Sequence, residues 1–431
     1  MKARNAVRVL TLGLVLAATV AGLAATAQPR RRVLDRPVEA ASAAALEMPR
    51  GIYLYTEEPV QGDQQFADAL KVRGLDGMAV VLDWSLIEPS EGKFDFSSAD
   101  FQVAEAQQHN LAIELVVRAG SRTPAWLSPT QQLKLVYSPH EGAGKCSDVD
   151  IPPPWSSDYQ SAFKVMLNRT AKHFQKTGAH IAVVKLTGLN TTTEELRLPA
   201  EVADKTANKS GCTNAGADDV TIWKGAGYSD ALVTQAFNQL NADFANDFPD
   251  TPITLAIIPH GGFPPIGGDG AHEPMVALLV SDAAASFAGR FTLQYDYLGY
   301  DQAVKSEVMD LAGNTLPVAW QTNLWMGGQK TPQGETEGAA CGGKPGDKSD
   351  PVTGCSDAQY LNLLGQGITP AGGAGPNRAG SYIEVFPFDV VQHPMQIAQA
   401  HAELMAGTYH LPPRPTPTPH CEPGVRCPLP N

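Results

Sequence analysis

The stretch "VVKLTGLNTTTEELRLP" (183–199) opens as an apolar strand and turns through Thr187, Gly188 and Leu189 to Asn190. It ends on two adjacent carboxylates, Glu194 and Glu195. Two readings compete for it. In one it is a surface loop entering a helix, with Thr192 or Thr193 as N-cap and acids favoured in the first turn. In the other it is the C-terminal end of a barrel strand, the place where a (β/α)8 barrel carries its working residues. The flanking chain decides between them.

Eight apolar segments read as strands: 51–55, 77–84, 111–118, 181–188, 251–258, 291–298, 316–323 and 381–387. Helical patterns lie between several of them, at 63–72, 98–110, 157–178, 229–247 and 274–289. Short apolar strands alternating with amphipathic helices predict a parallel sheet, and eight such units predict a TIM barrel over residues 51–410. Polar insertions are expected after strands three, four and seven. An open doubly wound sheet is the alternative, but it normally carries a glycine-rich phosphate turn after the first strand. Here that turn reads "TEEPVQGD" (56–63).

Beyond the barrel, the first 27 residues read as a secretory signal. Lys2, Arg4 and Arg8 precede an apolar run, and Ala25-Thr26-Ala27 supplies a small-x-small cleavage pattern. Residues 28–50 read as a flexible linker and 411–431 as a Pro- and Cys-rich tail. Outside the signal no long apolar run occurs, so no integral membrane segment is expected in the mature chain. The net charge is −13 and no basic, aromatic-laced stripe is present, which argues against a nucleic-acid partner. Six cysteines suit an exported protein. The pairs 341–355, 421–427 and 146–212 are the simplest of 15 pairings. A metal site is not expected, since no C-x-x-C or H-E-x-x-H occurs.

If the barrel is right, the strand ends converge on one mouth. They supply Trp84 after strand two, Arg118 after three, Asn190 with Glu194 and Glu195 after four, and His260 after five. Tyr295 and Asp296 end strand six, Gln321 and Trp325 follow seven, and Glu384 lies on eight. Carboxyls, amides and aromatic rings together suit a sugar, whose apolar face stacks on rings while two carboxyls serve bond cleavage. Glu384 interrupts the apolar run "YIEVF" (382–386) and so needs a partner or a role. An ion pair with Arg118 or Lys185 is the structural alternative to catalysis.

One further pattern is more specific. "DWSLIEPSEGKFDFSSAD" (83–100) and "LAIELVVRAGSRTPAWL" (111–127) resemble the second and third strands of retaining TIM-barrel glycoside hydrolases of the β-galactosidase and cellulase type. The matching residues are Trp84, Glu88, Pro89, Gly92, Phe94, Asp95, Phe96, Pro124 and Trp126. Glu88-Pro89 is architectural in such proteins. The resemblance implies an acid/base glutamate after strand four, commonly directly after an Asn. Here three threonines intervene, leaving Glu195 or Glu194 for that role, with Glu195 the first choice. It also implies a nucleophilic glutamate ending strand seven, where this chain has Gln321, so Glu384 takes that part. Asn190, Gln321, Arg118, His260, Tyr295, Trp84 and Trp325 are the expected sugar contacts, and no cofactor is required. The expected function is cleavage of an oligo- or polysaccharide by an exported protein. A non-catalytic carbohydrate-binding barrel lacking its nucleophile is the alternative.

Overall fold

A computed structural model describes residues 46–56, 61–127, 132–137, 147–200, 218–258, 263, 273–298, 311–312, 316–322, 355–368 and 380–406. The strands among them are β1 (Gly51–Leu54), β2 (Gly77–Asp83), β3 (Ala112–Arg118), β4 (Leu133–Tyr137), β5 (Ser147–Ile151), β6 (Ile181–Lys185), β7 (Ile253–Ile257), β8 (Phe291–Leu298), β9 (Val318–Thr322) and β10 (Gly380–Val385). All but β4 and β5 form one closed parallel barrel, in the order β1-β2-β3-β6-β7-β8-β9-β10. Closure comes from the last strand lying beside the first, with Gly51 opposite Tyr382 and Leu54 opposite Val385. That pairing excludes the open sheet. The eight barrel strands coincide with the eight apolar segments of the sequence, within a few residues at their ends.

The segments are legible because a parallel sheet covered by helices buries both faces of every strand. Leu115, Val117, Leu255 and Leu293 pack outward under the helical layer. The long helix Ser157–Thr177 supplies Tyr159, Phe163, Met166, Leu167 and Phe174 to that layer. It begins at Ser156, whose hydroxyl accepts from Tyr159 N, and ends at Gly178 with φ 66°, the left-handed stop that glycine permits. A helix at Asp230–Asp247 is likewise capped by Ser229, which accepts from Leu232 N.

Between the third barrel strand and the Ser157–Thr177 helix lies the antiparallel hairpin β4–β5, with Leu133 opposite Ile151. The sequence reading treated this region only as a polar insertion, although "LKLVY" alternates as a strand should. Among the described residues no helix is long and apolar enough to cross a membrane. Of the six cysteines, only Cys355 lies within the described residues. The cysteine pairings, the N-terminal signal and the tail therefore fall outside them.

Candidate active site

After the fourth barrel strand, β6, the chain leaves the sheet as an irregular loop pinned from several sides. Thr187 Oγ1 donates to Val117 O at 2.5 Å, and Tyr159 Oη donates to Gly188 O at 2.7 Å. Asn190 closes the turn on itself: its Oδ1 accepts from Gly188 N at 3.1 Å and its Nδ2 donates to Thr193 O at 2.7 Å. Leu196 N then returns to Ala256 O at 2.8 Å. The neighbouring loop closes in through Ser121 N, which donates to Thr191 O at 2.7 Å. Gly120 makes this approach possible. Its φ is 58°, and a Cβ there would stand 2.0 Å from Thr191 O, so any side chain would push the two loops apart.

This anchoring aims Glu194 into the barrel. Its carboxylate accepts from Tyr55 Oη at 2.7 Å, Lys185 Nζ at 3.4 Å and Gln321 Nε2 at 3.2 Å. Glu384 accepts from Lys185 Nζ at 2.8 Å, Gln321 Nε2 at 2.6 Å and Gln294 Nε2 at 2.8 Å. The single amide nitrogen of Gln321 thus touches both glutamates at 3.2 and 2.6 Å, so their nearest oxygens are no more than about 6 Å apart. Gln294 Nε2 also donates to Asp296 Oδ1 at 2.7 Å. Glu114 completes the group, 3.6 Å from Lys185 Nζ.

Four carboxyl groups therefore surround one buried lysine, and they cannot all be ionised cheaply. Counting donors locates one proton. The Gln294 amide nitrogen faces two carboxyls, which leaves its Oε1 turned to Tyr382 Oη at 2.6 Å. Tyr382 has one hydroxyl hydrogen, yet its oxygen also lies 2.9 Å from Glu114 Oε1. When the phenol donates to Gln294, the Glu114 contact requires a hydrogen on the carboxyl. The electrostatics agree. Burial first, and then the Glu384 charge, push Glu114 well above the ordinary carboxyl range. Asp296 is raised well above it too, by burial and by Glu384, Glu194 and Glu195 against the pull of Lys185. Glu194 moves the other way: burial opposes its charge, but Lys185, the Tyr55 hydrogen bond and Arg118 outweigh it and lower its value. Lys185 is raised well above 10.5, since its carboxyl neighbours outweigh the burial that opposes its charge.

A pH dependence of stability follows. Glu114 and Asp296 hold protons in the folded protein that the unfolded chain releases near its ordinary values of 4.5 and 3.8. Their contribution is complete below those values and is lost as pH rises through the elevated folded ones. Glu194 contributes in the opposite sense, above 4.5, and loses its contribution as pH falls through its depressed value. With two raised groups against one lowered, the melting temperature is expected to fall between pH 5 and pH 8 in calorimetry at constant ionic strength. Glu114→Gln should flatten that slope. A wild-type melting temperature that rises over the interval would contradict the proton assignments.

The sequence-predicted residues divide into those the network gathers and those it does not. Glu194, Gln321 and Glu384 are brought together. Glu195, the first choice for the acid, is not part of this hydrogen-bonded set: its carboxylate accepts from Thr193 Oγ1 and lies 4.0 Å from Arg197. Asn190 acts as the loop's internal fastener rather than as a mouth-facing amide. Trp84 is 0 % exposed and packs edge-on against Tyr159 and Phe163, at 5.7 and 5.6 Å, in the layer between barrel and helices. It is no stacking platform, because the chain turns into the short helix Trp84–Ile87 directly after β2 and carries the ring outward. Tyr295 also belongs to the outer core, edge-on to Trp320 at 6.0 Å, since alternation along β8 sends its neighbours Gln294 and Asp296 inward. Arg118 pairs through Nε with Asp83 Oδ1 at 2.7 Å and is fully buried, so it acts on Glu194 by charge. Glu384 is 0 % exposed and carries the Lys185 ion pair that the sequence offered as its structural alternative. His260 and Trp325 lie outside the described residues.

Sequence reasoning left out Lys185, Glu114, Gln294 and Tyr55 as site residues, and it noted Asp296 without giving it a role. For three of them the signal was available: "AIELVVR", "IAVVK" and "FTLQYD" place Glu114, Lys185 and Gln294 inside otherwise apolar strands. The resemblance pattern is structural, as expected. Glu88 accepts from Trp84 Nε1 and Gly92 N, both at 2.9 Å, while Trp126 Nε1 donates to Glu88 O at 2.9 Å. The two resembling stretches are thereby joined to each other.

The chain is thus a closed (β/α)8 barrel with acids and amides gathered toward the C-terminal ends of its strands, the end at which such barrels carry their working residues. Among solved structures, the chain is similar to the catalytic domain of a β-amylase from Paenibacillus polymyxa. The TM-score is 0.51 at 11% identity, over 84% of this chain and 99% of that one. It also aligns with a β-galactosidase from Rahnella sp. R3, at a TM-score of 0.47 and 11% identity, over 84% of this chain and 57% of that one. At such identity the likeness to the β-amylase domain is one of fold. No protein-family model matches the chain, and no curated protein matches it in sequence.

Proposed function

We propose that the protein is an exported glycoside hydrolase that cleaves a glycosidic bond of an oligo- or polysaccharide with carboxyl groups at the C-terminal mouth of its barrel. One observation carries this reading: the Glu194 and Glu384 carboxylates lie within about 6 Å of each other, joined by Gln321 and Lys185. That limit lies well inside the separations beyond which two carboxyls cannot flank one bond. Glu194 is the working anion. It stays ionised beside Lys185 and can meet the positive charge that develops at the anomeric carbon. Glu384 sits beneath it and holds Lys185 and Gln321 in place. Export rests on the signal-like residues 1–27 and on the cysteine content.

A second reading, a carbohydrate-binding barrel without catalysis, is favoured by Gln321, an amide at the end of the seventh barrel strand, and by the full burial of Glu384. Residues 28–431 incubated with a broad glycan panel distinguish the two. Release of reducing ends from a subset of glycans is expected. Binding without release from any member would select the second reading, and neither binding nor release would refute both.

A further inference from the structure

Asp296 occupies the C-terminal end of the sixth barrel strand, two residues beyond Gln294 on the same inward face. One carboxyl oxygen, Oδ1, accepts from Gln294 Nε2 at 2.7 Å. The other, Oδ2, is buried and has no hydrogen-bond partner, while the residue as a whole retains 6 % exposure. A buried carboxylate oxygen with no donor is costly. A carboxylic acid with its hydroxyl at Oδ2 is less so, and that hydroxyl has no acceptor among the described residues. The charges around it are Glu384, Glu194 and Glu195 against Lys185. Lys185 is already shared among Glu384, Glu194 and Glu114 at 2.8, 3.4 and 3.6 Å, so among the described residues no further cation pairs with an ionised Asp296. The group therefore stands as a loaded acid beside a carboxylate that stays charged, and such divergent environments separate an acid from its anionic partner.

We propose that Asp296, rather than Glu194 or Glu195, delivers the proton to the departing glycosidic oxygen. The assignment rests on the hydrolytic reading above and deepens it. The bond between the anomeric carbon and the leaving oxygen breaks with its electron pair going to oxygen, which takes the Oδ2 proton and departs as an alcohol. Glu194 meets the positive charge left on the sugar. Water then supplies the hydroxyl at the anomeric carbon and returns a proton to Asp296, so that one glycoside and one water become one alcohol and one hemiacetal sugar and the enzyme is restored.

The test is Asp296→Asn, with folding checked by thermal melting, assayed on two aglycones of the sugar released in the glycan panel. One is an alkyl or sugar aglycone that must be protonated to leave, the other a dinitrophenyl group that need not be. Loss of about 10²–10⁴-fold in kcat/KM on the first, with nearly full activity on the second and disappearance of the alkaline limb of the pH profile, is expected. Equal losses on both, or an unchanged alkaline limb, would overturn the assignment. A second measurement needs no substrate. Infrared spectra at pH 7 should show protonated carboxyl absorption from Glu114 and Asp296, and Asp296→Asn should remove one component. A spectrum unchanged by the substitution would overturn the proposal even if the wild type cleaves glycans. Failure of the hydrolytic reading alone would appear instead as an inactive wild type with the Asp296 component present.

Discussion

Glu194→Gln is expected to reduce hydrolysis of every glycan that the wild type cleaves by about 10³-fold, the scale on which a preorganised charge at the reacting centre acts. The substitution keeps the side chain's shape and leaves an acceptor for Tyr55 Oη, which lies 2.7 Å from the carboxylate. What it removes is the negative charge held beside Lys185. Stability should respond in a pH-dependent way. Because the folded value of Glu194 is depressed, its charge contributes above the ordinary 4.5, and the variant should melt below the wild type at pH 7. As pH falls through the folded value, the two melting temperatures should converge. Activity within tenfold of the wild type, measured as kcat/KM on the best panel substrate, would remove Glu194 from the chemistry and leave the fold untouched.

Lys185→Met should have the largest effect on stability. Among the described residues, Lys185 is the one cation within ion-pairing distance of Glu114, Glu194 and Glu384, and all four side chains are buried. Removing one partner of a buried pair costs about 3–5 kcal/mol because the other is left uncompensated. Here Glu194, which the lysine keeps ionised, and its neighbour Glu384 would both lose that partner. At neutral pH the apparent melting temperature is expected to fall by more than about 5 °C. Part of the loss should return toward pH 5, where the stranded acids can take up protons. The wild-type contribution of Lys185 itself runs to the other end of the scale. Its folded value is raised well above 10.5, so its share of stability is complete below 10.5 and disappears only as pH rises through the folded value. A variant that melts with the wild type at pH 7 would show that this lysine does not balance the acids. The same substitution should also slow hydrolysis, since Glu194 loses the cation that keeps it ionised.

The barrel was legible because strands covered on both faces spell themselves as apolar runs, from "GMAVVLD" to "ITLAI", and the intervening helices as amphipathic stretches between them. The mouth was legible to the resolution of a strand end and no finer. Adjacent residues there face opposite ways, and irregular hydrogen bonds decide which faces the site. Nothing in "TTTEELRLP" announces that the turn closed by Asn190 and the return bond from Leu196 N to Ala256 O will aim Glu194 inward and leave Glu195 to Thr193 and Arg197. Tyr295 differs from expectation for a simpler reason: alternation along β8 turns its ring outward and gives the inward position to its neighbour Asp296. Trp84 misled because the short helix begins on it. Conversely, the need of a carboxylate inside "YIEVF" for a partner could be stated from the sequence, and Lys185 answers it.

The lysine hub also governs how the chain can be divided. Glu114, Lys185 and Glu194 come from the third and fourth barrel strands and the loop after them, whereas Gln294, Gln321, Tyr382 and Glu384 come from the sixth, seventh and eighth. A half-barrel ending near residue 200 would keep the cation and two of its acids but lose Glu384, the nearest counterion at 2.8 Å. The complementary half would keep that counterion with no cation beneath it. Neither half keeps Lys185 together with all of its carboxyl neighbours, so the charge balance of the interior is a property of the closed barrel rather than of either half.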